Sequence, residues 1–183
     1  MKNLSVKWIY LLILAVIWGS SFILIKKSLL GLTPYQLGAL RTIISGVILL
    51  AIGFNNLKTI PKSKWKWLLI SGLLGSFIPS FFFAIAETEI DSAVASILNS
   101  LVPLNTILLG FAVFKIASTQ RQVLGVIVGF IGTAILILKG SYLKPNQNYL
   151  YAVFVISSTL MYAANVNIIK IHLQHLKTLS IYY

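Results

Sequence analysis

The stretch Trp18–Leu30, WGSSFILIKKSLL, places a cluster of small polar residues inside an apolar run and follows it with two lysines. A soluble core helix has no need of this pattern. A membrane helix uses small residues to approach its neighbours closely, and it carries lysines at its ends. We therefore interpret Lys26 and Lys27 as the outer end of a membrane helix, and the cluster as a place of close approach or local unwinding.

The composition of the whole chain supports a membrane protein. Of its 183 residues, 58% are hydrophobic and 10% are charged, whereas soluble domains carry roughly 25% charged residues. The net charge of +12 comes from cations at the ends of apolar runs, which favours a lipid bilayer over nucleic acid as the partner. There is no cysteine and there are only two histidines, so we predict no disulfide, thiol or metal site and no cofactor.

Six apolar runs are long enough to cross a bilayer core, which takes about 20 helical residues. They lack the alternation of a β-barrel, so we predict helices. The first run is followed by five more and is read as a retained helix, not a signal peptide. The predicted spans are Val6–Ile25, Tyr35–Phe54, Trp65–Ala86, Ala93–Phe114, Gln122–Leu138 and Tyr149–Ile169.

The positive charges predict which side each end faces. With the first residue inside, ten cations lie on the inner side (Lys2, Lys7, Lys58, Lys62, Lys64, Lys66, Lys115, Arg121, Lys170, Lys177) and four on the outer side (Lys26, Lys27, Lys139, Lys144). This asymmetry predicts a multi-pass protein of the cell (inner) membrane with both ends of the chain cytoplasmic. The three acids, Glu87, Glu89 and Asp91, are expected in one outer turn.

A weak internal repeat is visible. Gly19–Leu32 aligns with Ala163–Leu176, so that Lys26 falls on Lys170. The second copy lies five spans after the first, so the two would cross the membrane in opposite directions. Such inverted repeats are typical of transporters that alternate access around a site near the midplane.

Four motifs in order resemble the EamA-type repeat of the drug/metabolite transporter superfamily. They are WGSSFILIKKSL from Trp18, LTPYQLGALRTIISGVILL from Leu32, SAVASILNSLVPLNTILL from Ser92 and RQVLGVIVGFIGTAILI from Arg121. The resemblance implies ten helices in two inverted halves, with a central cavity. It also implies movement of small metabolites without ATP hydrolysis. Residues 1–140 would form the first repeat and 149–183 the start of the second, so the sequence looks cut short after six helices.

One departure from the family pattern is visible. Many members carry a Glu at the cytoplasmic end of the fourth helix, where this chain has Lys115. A role for that Glu therefore does not transfer. Small four-helix multidrug antiporters exchange protons on a buried Glu, and because no acid is predicted within a span here, that mechanism is disfavoured.

A polar stripe marks the fourth predicted helix. Its members recur at steps of four, three, four, three and four, which places them on one helical face. Two interpretations stay open, lining of a cavity and hydrogen-bonded packing between helices. Within the stripe, Asn99 and Pro103 are the candidates for the solute pathway, since Pro103 also removes a backbone hydrogen bond. The stripe is Ser92, Ser96, Asn99, Pro103, Thr106 and Gly110.

Arg41 is the one charge predicted well inside a span. It either reaches back to the outer interface along its aliphatic stem or provides a counter-charge for an anionic group of the solute. Elsewhere, Tyr162 and Asn165 share a face of the sixth predicted helix, and Trp18 with Ser21 occupy the corresponding positions of the first. If the helices are related by the repeat, we expect these four side chains to meet near the centre.

These observations predict a secondary transporter or exporter of amino-acid-like or drug-like metabolites that works by alternating access. The expected partners are the bilayer, a small solute, and either the missing second half or a second copy of the chain. The sequence contains no phosphate-binding loop and no catalytic triad within the spans, so an enzyme is not predicted. The alternative is a non-transporting scaffold or a half-size subunit completed by another chain.

Overall fold

The computed structural model describes residues 2–57, 60–143, 147–174 and Leu176. All regular structure in this part of the chain is helical. The α-helices are α1 (Lys2–Ser28), α2 (Pro34–Leu57), α3 (Trp65–Gly72), α4 (Ile78–Glu89), α5 (Ser92–Asn99), α6 (Val102–Ala112), α7 (Gln120–Leu143) and α8 (Ala152–Ile168). Short 3₁₀ or π segments adjoin them at Lys62–Lys64, Leu73–Phe77, Tyr149–Tyr151 and Ile169–Leu173.

These elements form six helical segments, as predicted. Five are long and apolar enough to cross a membrane: Trp8–Ser28, Pro34–Phe54, Lys62–Glu89, Ser92–Ala112 and Tyr149–Leu173. Within α7, the described apolar stretch Gln120–Ile135 is shorter. The chain is thus an all-α, polytopic membrane protein. Most large apolar side chains of α1 and α2 are exposed, as expected of surfaces that face lipid.

Helix α8 lies at the centre of the packing and contacts most of the other elements. It contacts α4, α5, α6 and the π segment Leu73–Phe77, while α2 packs on α4, α1 on α4 and α5, and α7 on α6. Buried residues of α4, α5 and α8 meet in one core, where Ala84, Leu98 and Val155 are 0% exposed. Small side chains such as Ala84 allow helices to approach closely without a hydrophobic driving force from water.

Two prolines explain the irregular points of the third and fourth spans. Pro79 has no N–H to donate to the carbonyl four residues back. Just before it, the helix changes to π hydrogen bonding, and the Ile78 amide donates to the Leu73 carbonyl five residues earlier. Pro103 is the second residue of α6, which begins at Val102, and α5 ends at Asn99. The fourth predicted helix is present as one span, Ser92–Ala112, with a single turn at Ser100 and Leu101 between α5 and α6.

The third span ends later than predicted. Helix α4 continues to Glu89 and buries Glu87 completely, at 0% exposed. The expectation that all three acids lie in an outer turn is wrong for Glu87. The physical reason is Lys26 of α1, whose Nζ donates to the carbonyl oxygens of Glu87 (2.6 Å) and Ile90 (3.1 Å). A cation at this position stabilises the end of a helix.

Candidate functional site

A polar cavity of about 80 Å³ lies between α2, the π segment, α4 and α8. Pockets that enclose a whole drug-sized ligand measure roughly 300–1,000 Å³. This cavity therefore has room for one small functional group or a few water molecules. Apart from a glycine, every lining residue carries a hydrogen-bonding side chain, and the set has one cation and no carboxylate. The lining residues are Arg41, Thr42, Ser45, Gly75, Ser76, Ser80 and Tyr162.

Close contact between α2 and α4 builds one wall of the cavity. A Cβ added to Gly38 would lie 2.5 Å from Cδ1 of Phe81, so only glycine fits there without movement. This approach brings Thr42 beside Ser80, with 3.0 Å between their hydroxyl oxygens. Each hydroxyl also lies within hydrogen-bond distance of a carbonyl oxygen of its own span, Thr42 of Gly38 (2.9 Å) and Ser80 of Phe77 (2.8 Å). One hydroxyl can therefore donate to its carbonyl and accept from the other hydroxyl, which joins α2 to α4.

Arg41 supplies the charge of the cavity. Its Nη1 atom is buried and has no hydrogen-bond partner among the described residues. Tyr162, on α8, lines the same cavity and interacts electrostatically with Arg41. Buried polar groups in native proteins are nearly always satisfied, so an unpartnered guanidinium nitrogen beside a polar cavity indicates a place for an acceptor. A carboxylate or water would meet that need.

Glu87 lies near this cavity but does not line it. One carboxylate oxygen accepts a hydrogen bond from the Ser92 hydroxyl at 2.9 Å. The other oxygen, Oε1, is buried without a partner in the described part of the chain. The carboxylate interacts electrostatically with Lys26 and Arg41. Glu87 was not predicted as an interior residue, although helical spacing places it on one face with Ser80.

Asn165 lies beside the cavity and not within its lining. Its Oδ1 accepts a hydrogen bond of 2.6 Å from Ser71 of α3. Its amide packs against Gly75 in the π segment, where a Cβ would overlap it. π segments recur at functional sites, where they shift the register of one helix face. Here the segment makes room for Asn165 and places Gly75 and Ser76 at the cavity.

The structure distributes the predicted polar stripe of the fourth helix differently from the expectation. Pro103 is exposed on the outside of the bundle, and Asn99 is half-buried. The Oδ1 of Asn99 finds no partner within the described residues. The buried polar residue of α6 is Asn105, 2% exposed, which sequence reasoning missed. Its amide donates to the hydroxyl of Thr159 on α8 at 2.9 Å.

The four side chains expected to meet at the centre are not brought together. Trp18 is 63% exposed on the outside of α1, and the Ser21 hydroxyl donates to the Trp18 carbonyl of its own helix at 2.7 Å. Tyr162 lies at the cavity and Asn165 pairs with the third span. The helices that enclose the cavity are α2, α4 and α8, so α1 supplies none of its lining.

The opposite end of the third span has a separate contact. The ring of Trp67 stacks on that of His172, with centroids 3.5 Å apart and planes 5° from parallel. Lys64 donates from Nζ to the His172 carbonyl at 2.7 Å. This contact ties the start of the third span to the end of the sixth. Across the described residues, no group of three His, Asp or Glu side chains is arranged to hold a metal ion.

Comparison with known proteins finds one matching family and several similar proteins. The EamA-like transporter family matches residues 6–138. An uncharacterized transporter of Archaeoglobus fulgidus is 27% identical over 86% of this chain and 55% of its own length. A WAT1-related protein of Arabidopsis thaliana is 32% identical over 75% of this chain and 43% of its own.

Protein PecM of Dickeya dadantii is 29% identical over 66% of this chain and 39% of its own length. The chain thus spans about half the length of the curated relatives that it matches, or less. No solved structure matches it.

Proposed function

Because the chain belongs to the EamA-like transporter family, we propose that it forms part of a secondary transporter that moves a small metabolite bearing an anionic group. The observation that supports this is the buried Nη1 of Arg41 at the polar cavity, which has no hydrogen-bond partner in the part of the chain that the structure describes. The small volume of the cavity fits the anionic group alone, and the rest of an amino-acid-like or drug-like solute would extend beyond it.

The wider organisation is part of the same proposal. Residues 1–140 form the first repeat and residues 149–183 begin the second, with further helices completing a bundle that alternates access. The protein lies in the cytoplasmic membrane, with the two ends of this chain on the cytoplasmic side. The relatives' greater length supports this organisation. Within it, Arg41 and Tyr162 contact the solute, and Asn99 offers a further oxygen that no other described residue engages.

Arg41→Gln tests the anion contact. We expect acetate to raise the melting temperature of the purified full-length protein in detergent at pH 7, by occupying the space beside the guanidinium. The rise should disappear in Arg41→Gln. Arg121→Gln is the matched control, because Arg121 is exposed at the start of α7, and it should keep the rise. Methylammonium at the same ionic strength should have no effect on either variant.

Two outcomes would reject the anion contact. One is an equal acetate effect in Arg41→Gln and in the unchanged protein. The other is no acetate effect in any of them. If the contact is established, counterflow of a labelled metabolite in proteoliposomes separates a transporter from a scaffold, since only a transporter exchanges solute across the bilayer.

A further inference from the structure

Glu87 is a buried acid to which the proposed transport function assigns no role. It is completely buried on α4, its Oε1 lacks a partner among the described residues, and Ser92 donates to its other oxygen. Burial favours the neutral form of a carboxyl group, whereas neighbouring cations favour the carboxylate. The protonation state of such a group therefore depends on the charges around it.

Two cations act on Glu87, and they differ in how they are held. The Lys26 ammonium is engaged by two backbone carbonyl groups at 2.6 and 3.1 Å, so its position is fixed by the end of α4. Arg41 instead lines the cavity, and its Nη1 has no hydrogen-bond partner within the described ranges. An anion in the cavity would neutralise the charge of Arg41, while it would leave Lys26 in place.

Other titratable groups lie on the elements around Glu87. Besides Lys26 on α1 and Arg41 on α2, helix α8 contributes Tyr162 at the cavity. The turn before α5 contains Asp91, and Tyr149 and Tyr151 lie in the 3₁₀ segment that also packs on α4. On α4 itself, Glu89 is exposed. Arg41 is the cation in this set that both lines the cavity and interacts with Glu87.

We propose that Glu87 is a proton site coupled to the solute: when an anion binds beside Arg41, the Glu87 carboxylate takes up one proton from solution. The reaction is balanced, because one anion and one proton enter and the net charge of the protein interior is unchanged. When the anion leaves, the proton leaves with it. Solute movement through this site would thereby be tied to proton movement. The inference rests on the anion contact at Arg41 proposed above.

The test uses methanesulfonate, which stays anionic at every pH used, so any pH dependence belongs to the protein. Apparent affinity is measured from the melting temperature of the full-length protein in detergent between pH 6 and pH 8. Where Glu87 titrates, we expect affinity to fall by up to tenfold for each unit of pH increase. The affinity of Glu87→Gln should be independent of pH. Glu89→Gln, an exposed acid two residues away, should behave as the unchanged protein.

A second measurement needs no variant. In weakly buffered solution, a pH-sensitive dye should report uptake of up to one proton per bound methanesulfonate in the unchanged protein, at the pH values where the affinity depends on pH. Binding without proton uptake, or the same pH dependence in Glu87→Gln, would overturn the proton site while leaving the anion contact intact. Absence of methanesulfonate binding in the unchanged protein would instead overturn the anion contact, and the coupling with it.

Discussion

The substitution Gly38→Ala tests quantitatively whether α2 and α4 approach each other closely at the cavity, because Gly38 of α2 contacts Phe81 of α4. In Gly38→Ala, the new methyl group would lie 2.5 Å from Cδ1 and 2.9 Å from Cε1 and Cγ of the Phe81 ring. Real Cβ atoms do not approach a ring this closely, so α2 and α4 must separate or the ring must turn. Overpacking of this kind costs about 1–3 kcal/mol.

The helix propensity of alanine acts in the opposite direction. Alanine is favoured over glycine by up to about 1 kcal/mol in an exposed helix interior. Gly46 measures this contribution on the same helix, because a Cβ there meets no atom within 4 Å. We therefore expect Gly46→Ala to be neutral or slightly stabilising. Gly38→Ala should be destabilised relative to it by roughly 1–3 kcal/mol.

Unfolding by sodium dodecyl sulfate in mixed micelles, followed by circular dichroism, would give the free energies of both variants. Phe81→Leu in combination with Gly38→Ala should recover part of the loss, because the smaller side chain relieves the overlap, and the double-mutant cycle isolates this coupling. If Gly38→Ala and Gly46→Ala are equally stable, the two helices do not approach as described and the reasoning fails.

Two further contacts can be tested in the same way. Asn105→Ala removes the donor to Thr159 (2.9 Å), and a double-mutant cycle with Thr159→Val should give a coupling of about 0.6–1.7 kcal/mol in unfolding experiments; a coupling of zero would mean that this bond does not join α6 to α8. Gly75→Ala should displace the amide of Asn165 and lower the melting temperature, whereas Gly72→Ala, with no atom within 4 Å of its Cβ, should not. Equal melting temperatures for the two glycine variants would contradict the packing of Asn165 on the π segment.

The polar stripe of the fourth span shows why helix faces were harder to predict than helices. Periodicity alone favoured the face of Asn99 and Pro103, yet the buried positions follow Leu98, Leu101 and Asn105. In water, the polar side of a helix faces outward, so periodicity gives direction. In a bilayer, lipid and protein interior are both apolar, so periodicity does not tell which face of a helix is buried. The turn before Pro103 also changes how the faces of α5 and α6 align.

Of the residues that line the cavity, Arg41 and Tyr162 were among the candidates predicted from the sequence. Arg41 could be identified because a charge within an apolar span is costly and therefore informative. Its neighbours Ser45, Ser76 and Ser80 are small hydroxyl residues that occur throughout membrane helices as packing residues. Which of them share a cavity with Arg41 depends on how α2, α4 and α8 are packed. That information is not local to any segment.

The sequence by itself determined the class of the protein and the six helical segments, because a bilayer requires long apolar helices with charges at their ends. The family was indicated by the resemblance of four motifs in order. Only the tertiary structure decided that Trp18 faces outward, that Arg41 and Tyr162 line one cavity, and that Glu87 is buried. Each of these depends on which helix lies beside which, and Glu87 depends in addition on a lysine from a distant segment that caps its helix. Such contacts join residues far apart in the chain, where the hydrophobic pattern of one segment carries no information about another.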